Sequence, residues 1–453
     1  MRMNARVASP SFHTVTRRDV LRGAVGVVAG LSASARRAGA ALPVLRIAQW
    51  AHFVPGYDEW FDRKFTREWS LRNGVAVEVD HFHLSELRTR ADTEVATQHG
   101  HDLFGFPESP AGYEAHVTPL TDVVTEGERR FGHLPAFVQK ATFSPRTKQY
   151  FAVPESWAAA PLHYRSDLWG EVGAKPDTWE LVREGARKIR EKRGIPAGFG
   201  LAPEPDSNMM LRGLLWGFGA AEQDEAGQVA INSAATIEAV RLMATIYRES
   251  MTPDVFMWDA ASNNRAFVWG QASIIQNPIS AIRSMEKGNP ELARKAVLAP
   301  PAAGPAGRLA AAHVLHCYVI WKFSDKVELA KRFLIDLLAA GDEGFRASEF
   351  YNLPCFPRTV HDLPKKLGAG KTSPPGKSAP AQPADRYALL AKADRWSASP
   401  GHPGYFTPAI DETVQRGIIP AMFARAARGE QSPEASVRAA ETEMRRIFAR
   451  WAR

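Results

Sequence analysis

Three pairs of histidines stand close enough along the chain to share one ion: His81 with His83, His99 with His101, and His313 with His316. In a strand, side chains two apart point the same way, and two imidazoles are half of a zinc site. No carboxylate or cysteine partner at matching spacing is apparent, so the pairs read as ordinary surface or core histidines and no metal or other cofactor is expected. Gly370-Lys371-Thr372 has the ending of a phosphate-binding loop, but the glycine that motif needs at position 365 is Lys365, and no strand leads into it. His-Glu-x-x-His, Gly-x-Ser-x-Gly and Cys-x-x-Cys are absent from the sequence, which removes the commonest zinc-protease, hydrolase and dithiol chemistries. Cys317 and Cys355 are the only cysteines, too few for a disulfide framework, and sequence alone leaves open whether they pair.

The 453 residues are 45% hydrophobic and 23% charged, a globular composition long enough for two domains. The formal charge of +8 invites a nucleic-acid or membrane partner until its position is read. Residues 1–41 hold seven arginines against one acid, Asp19, which accounts for +6 and leaves the rest nearly neutral, so no nucleic-acid partner is expected. The same stretch has a basic beginning, an apolar segment from Ala24 to Ala33 and small residues after it, the pattern of an export signal too short to span a bilayer. Thr16-Arg17-Arg18-Asp19-Val20-Leu21-Arg22 resembles the twin-arginine motif, so residues 1–40 are read as a Tat-type signal peptide handled by the Tat export machinery. Cleavage after Ala38-Gly39-Ala40 then leaves a periplasmic protein beginning at Ala41, with no cysteine placed to carry a lipid anchor.

Period-two and helical patterns alternate along the chain after Ala41. Pro43–Trp50 reads as a buried strand. Tyr57, Trp60, Phe61, Phe65 and Trp69 mark a helix ended by Asn73-Gly74, Val75, Val77 and Val79 a second strand, Ser85 the cap of a helix to about Gln98, and His101–Phe106 a third strand. This strand-helix alternation predicts a parallel open sheet. A second unit begins after Tyr150–Pro154, with strands at Leu162–Tyr164 and Ala272–Gln276 and helices starting at Thr178 and Ser233. The strand Val314–Phe323 and the helix Lys326–Ala339 read as a return to the first unit. Ser432 and Pro433 open a tail helix with an apolar stripe through Trp451. Trp60, Trp69, Trp179, Trp321 and Trp451 fall on such stripes and read as core.

Eight segments in order resemble extracellular solute-binding protein family 1, the carbohydrate-binding components of ABC importers, in the manner of maltodextrin-binding protein. They include His101–Phe106, Tyr150–Pro154, Leu162–Trp169, Gly173–Trp179, Asn232–Ala235 with Thr252–Asp254, Ala266–Ile274, Lys331–Leu334 with Asn352–Pro354, and Ser432–Ala435. Arg165 replaces the family's usual Asn, and Ile279 stands near a position where a sugar-stacking Trp is found. The resemblance implies an α/β, two-lobe periplasmic binding protein fold, each lobe an open mostly parallel sheet flanked by helices, with the ligand cleft between them. Residues 41–154 plus 302–346 would form the N-terminal lobe and 155–301 plus 347–453 the C-terminal lobe. It further implies hinge closure around a saccharide or polyol, delivery to an ABC-transporter permease, no catalysis, and a monomer.

A pyranose lays its apolar C–H face on an aromatic ring while its hydroxyls need fixed donors and acceptors, and open α/β sheets place ligands at the carboxyl ends of their strands. By that criterion Trp50 and His52 follow the first strand, Phe106 and Glu108 the third, and Trp157 the crossing between lobes. Trp258, Asp259 and Asn277 come from the second lobe, Tyr351 and Asn352 from the late return, and Tyr405 from the Gly401–Tyr405 loop. Two other readings stay open. Arg283 suits an anionic or amino-acid-like ligand in the same fold, and the export signal suits a Tat-exported, metal-dependent enzyme.

Overall fold

The computed structural model describes residues 42–368 and 386–452. The signal segment through Ala41 and the Gly370-Lys371-Thr372 motif lie outside them. The first lobe is built on a six-stranded sheet. Its strands are β1 (Val44–Trp50), β2 (Ala76–Phe82), β3 (Leu103–Phe106), β4 (Val153–Ala158), β8 (Val314–Ile320) and β9 (Leu353–Pro354), in the spatial order β9-β4-β8-β3-β1-β2. The second lobe has a three-stranded sheet with β5 (Leu162–Arg165) between β6 (Ile274–Gln276) and β7 (Ala296–Ala299).

β1 is the hub of the first sheet because its residues suit burial on both faces. Leu45, Ile47 and Ala48 are fully buried, and Ile47 lies beside Val79 of β2 and Leu103 of β3. The first helical segment runs from Pro55 to Asn73 with a π turn at Phe61–Phe65, and Gly74 closes it at φ 63, where a side chain would strain the backbone. Its apolar stripe packs on the helix Val327–Ala339: Phe61, Phe65 and Trp69 all meet Phe333 edge to face, at centroid distances from 5.1 to 6.1 Å.

Strand direction departs from the sequence expectation. β1, β2 and β3 are parallel as read, but β8 is antiparallel to both β3 and β4, and β9 is antiparallel to β4. In the second sheet both pairings are antiparallel. The cause is the route of the chain. β4 runs out of the first sheet at its carboxyl end toward the second lobe, and β8 re-enters from that same end, so the returning strand must oppose the strands that end there. A return through the opposite edge would have restored parallel order at the cost of a long loop.

Burial corrects one other expectation. Trp60, Trp69, Trp179 and Trp321 are buried as read, whereas Trp451 is 47% exposed, its indole N–H donating to Glu412 Oε2 at the end of the tail helix Pro433–Trp451. Cys317 on β8 and Cys355 just past β9 flank β4 on opposite sides, and both thiols are buried and free. Two strand spacings, roughly 9–10 Å, exceed disulfide reach. The tail helices Ile418–Ala427 and Pro433–Trp451 pack on the second-lobe helix Ala234–Ser250. A fully buried ion pair holds that region: Arg212 gives Glu222 two parallel hydrogen bonds at 2.9 and 2.8 Å and spends a third on Asn208.

Candidate functional site

The carboxyl ends of β1 and β3 and the amino end of β8 meet the second lobe around a cavity of about 490 Å³. Phe53 and Phe106 line it from the first lobe, Met209 and Trp258 from the second, and His313 and Val314 at the return crossing. Phe53 is 39% exposed although it is large and apolar, which sets it apart from the rings packed behind it. Phe106 closes the floor, stacked on Tyr113 at 5.3 Å and tilted against Phe104 at 4.8 Å.

Charged groups rim the same space. Arg88, on the helix Leu84–Thr97, donates to Glu108 Oε1 at 3.2 and 3.0 Å and to Asp411 at 2.7 and 3.3 Å. Gln415 Nε2 also donates to Glu108, at 2.7 Å, so the helix Pro408–Gln415 is tied to the first lobe at one end of the cleft. Opposite, Glu204 caps the helix Pro205–Gly217. Its carboxylate accepts from the Asp206 and Ser207 amides at 2.7 and 2.6 Å, satisfying donors that a helix start leaves open. Burial, with Asp206 beside it, pushes Glu204 up to about 8. Asp206 Oδ1 in turn lies 2.7 Å from His313 Nε2.

The residues picked from sequence divide into three sets. Phe106, Glu108, Trp258 and Asp259 line the cavity together. Trp258 is oriented by its N–H bond to Asp254 at 2.9 Å, and Asp259 is held by Ser262 and Arg265 at 2.8 and 2.9 Å, contacts that keep its carboxyl below the usual range. Trp50, His52, Tyr351 and Asn352 form a second, buried set directly behind Phe53. Phe53 meets the rings of Trp50 and Tyr351 at 5.1 and 6.4 Å, and neutral His52 donates from Nε2 to Asn352 Oδ1 at 2.9 Å while accepting from the Val54 amide. Burial pushes His52 down to about 3, against the hydrogen bond to Asn352. Trp50 Nε1, the Tyr351 hydroxyl and Asn352 Nδ2 are buried without a hydrogen-bond partner among the described residues, so this layer keeps donor capacity that those residues do not use.

Trp157, Asn277 and Tyr405 lie apart from the cavity. Trp157 sits within β4 instead of on a loop, its N–H donating to the Pro354 carbonyl at 3.2 Å and its ring edge-on to Phe137. Asn277 bonds Asn263 at 3.1 Å and Asn264 inside the second lobe. Tyr405 touches Phe143, and its carbonyl accepts from Gln223 at 2.7 Å. Sequence reasoning missed Phe53, Arg88, Glu204 and His313. Phe53 is adjacent to a residue that was chosen, but Arg88 and Glu204 sit on helix starts that only the packing of two lobes brings to one cleft.

The other candidates drawn from the sequence acquire positions too. Arg283 is not among the cavity residues: its guanidinium donates to the Glu349 carbonyl and to Glu286 Oε2. The histidines engage separate carboxylates, His81 with Asp58 and Asp62, His101 with Glu94 and Asp80, His316 with Glu155. Among the described residues no three His, Cys, Asp or Glu side chains converge to hold an ion.

Known proteins share this architecture. The sequence profile of the bacterial extracellular solute-binding proteins matches residues 62–357, more than half of the chain. Curated protein sequences return no match. Solved structures return many. A protein from Synechococcus sp. MITs9220, assigned as an oligosaccharide periplasmic-binding protein and determined in complex with zinc, superposes with a TM-score of 0.75 at 20% identity, covering 90% of this chain and 100% of its own. Maltose-bound MalE3 of T. maritima gives 0.71 at 20% identity, covering 89% and 99%. A sugar transporter from Arthrobacter chlorophenolicus A6 with bound laminaribiose gives 0.73 at 14% identity, covering 89% and 99%. At these identities the likeness is one of fold.

Proposed function

This chain belongs to the bacterial extracellular solute-binding proteins, and from that premise we propose that it is the substrate-binding component of an ABC importer that captures a saccharide or polyol. The observation that carries the ligand class is the cavity itself. Phe53 and Trp258 offer apolar faces from the two lobes over a floor backed by buried Phe106, and Glu108, Glu204 and Asp259 stand among them as acceptors for hydroxyls. About 490 Å³ falls within the range of small-molecule sites. A cleft that closes on its ligand removes water from these bonds, and a site built to bond a given hydroxyl rejects analogues that lack it. The maltose and laminaribiose bound by two proteins of like fold support the same class.

The lobes divide near the crossings, 41–154 with 302–346 against 155–301 with 347–453, corrected in that the end of β4 and the strand β9 pair within the first-lobe sheet, while the packing of the tail helices on Ala234–Ser250 supports placing the tail with the second lobe. Binding proceeds without catalysis, and the closed form hands its ligand to an ABC permease. The protein works as a periplasmic monomer exported through the Tat machinery by residues 1–40. Among the described residues no helix is long and apolar enough to cross a membrane.

A thermal-shift screen against mono- and disaccharides, polyols, sugar acids, amino acids and metals tests the reading. A ligand at a hundred times its dissociation constant adds about 2.7 kcal/mol of stability. A reproducible rise with a sugar or polyol is the expected result; a rise with a metal alone would refute it.

A further inference from the structure

A cleft that takes anions leaves a guanidinium or a helix start open toward the ligand. In this cleft Arg88 and the start of the helix Pro205–Gly217 are already filled by carboxylates of the chain, and the start of the helix Leu84–Thr97 is capped by the His83 ring. Arg88 spends its donors on Glu108 and Asp411, at distances from 2.7 to 3.3 Å. The 13-residue helix Pro205–Gly217 opens on the cavity at Glu204 and Pro205, yet the Glu204 carboxylate occupies the amides where an anion would sit. Arg265, beside the Trp258 loop, is tied to Asp259 at 2.9 Å. The balance is an excess of acid: among the described residues the lining has one guanidinium, Arg88, and two imidazoles, His83 and His313, against Glu108, Glu204 and Asp259, with Asp206 and Asp411 buried next to them. Asp206, 5% exposed, has one oxygen toward His313 and the other, Oδ2, without a hydrogen-bond partner among the described residues.

Resting on the reading of this cleft as the solute site, we propose that its ligand is a saccharide or polyol bearing a protonated amine, and that the cleft turns away sugar acids and phosphorylated sugars. Buried carboxylates with too little positive charge around them are costly, and a bound ammonium supplies what the chain lacks. The raised Glu204 agrees with this, since a carboxyl without a cationic neighbour keeps its proton. Phe53 and Trp258 add faces that attract a cation as well as the C–H face of a ring.

Matched triads of one carbon skeleton test the charge alone: sorbitol, 1-amino-1-deoxysorbitol and gluconate, and glucose, glucosamine and glucuronate, each titrated into the purified protein by calorimetry. The amine is expected to bind roughly tenfold or more tighter than its neutral partner, and the acid not measurably. Raising salt should shrink the gap. Glu204→Gln, which keeps the helix cap, and Glu108→Gln should each narrow the ratio of amine to neutral affinity. If Glu204→Gln fails to fold, the more peripheral Glu108→Gln carries the test. Neutral sugars bound as tightly as amines, or acids bound best, would overturn this proposal and leave the solute-binding reading standing; no binding by any sugar or polyol, charged or uncharged, would overturn both.

Discussion

On the proposed reading Phe53 and Trp258 carry the apolar half of the site, so their removal should separate binding from folding. Phe53→Ala and Trp258→Ala are expected to weaken ligand binding about tenfold, ~1.4 kcal/mol each, with little change in unfolding temperature. Trp157→Ala should do the reverse, lowering stability by about 3–5 kcal/mol by denaturant titration, because it vacates a buried position in β4. Glu222→Ala, which strands Arg212 in a fully buried site, should cost about 3–5 kcal/mol in the same measurement. Burial holds His52 and His163 at about 3, below the ordinary 6.5, so the unfolded chain binds protons that the folded one refuses. Their contribution is complete above pH 6.5 and is lost as pH falls toward 3, at about 1.4 kcal/mol per pH unit for each. Denaturant titrations of His163→Gln between those limits should show a flatter slope by one proton; an unchanged slope refutes the buried neutral imidazole. Trp258 and Phe106 were legible in the sequence because each follows a strand-like or aromatic run, but nothing local marked Arg88 as a partner for Asp411, 323 positions away.

At the scale of elements, local sequence signals located helices well. Thr178 and Ser233, read as helix starts, and Ser432, read as a cap, each accept from an amide three residues on. Ser432→Ala should therefore destabilise the tail helix by about 1 kcal/mol, read as a lower unfolding temperature. Ser85 is the exception, since the cap lies two residues earlier, where His83 accepts the Ser85 amide through its ring. Histidine is a rare cap, so its position gave no warning. Strand existence was legible for the same reason as the helices; strand direction was not. β8 opposes β3 because of where the chain re-enters the sheet, and no residue within Val314–Ile320 encodes that.

At the scale of the molecule, two lobes share one cleft, and on the proposed division the bridge from Arg88 to Asp411 ties the first lobe to the tail of the second. Hinge closure predicts that small-angle scattering shows a smaller radius of gyration with ligand than without. Arg88→Ala should enlarge the ligand-free radius by releasing that tie. An equal radius in all three states would refute both the closure and the tie.

The sequence by itself determined the class of the fold and the starts of several helices, because periodicity, caps and turn residues act over a few neighbours. It determined Phe106, Glu108, Trp258 and Asp259 as companions only in the loose sense that all follow strands or loops. The tertiary structure alone decided that Trp50, His52, Tyr351 and Asn352 form a layer behind Phe53, that Trp157 is core, and that Cys317 and Cys355 stand on opposite sides of β4. It also decided the charge of the cleft. Arg88, Glu108 and Asp411 compensate one another only when segments hundreds of residues apart are folded together, and a Coulombic sum over the sequence cannot show which charges are already spent.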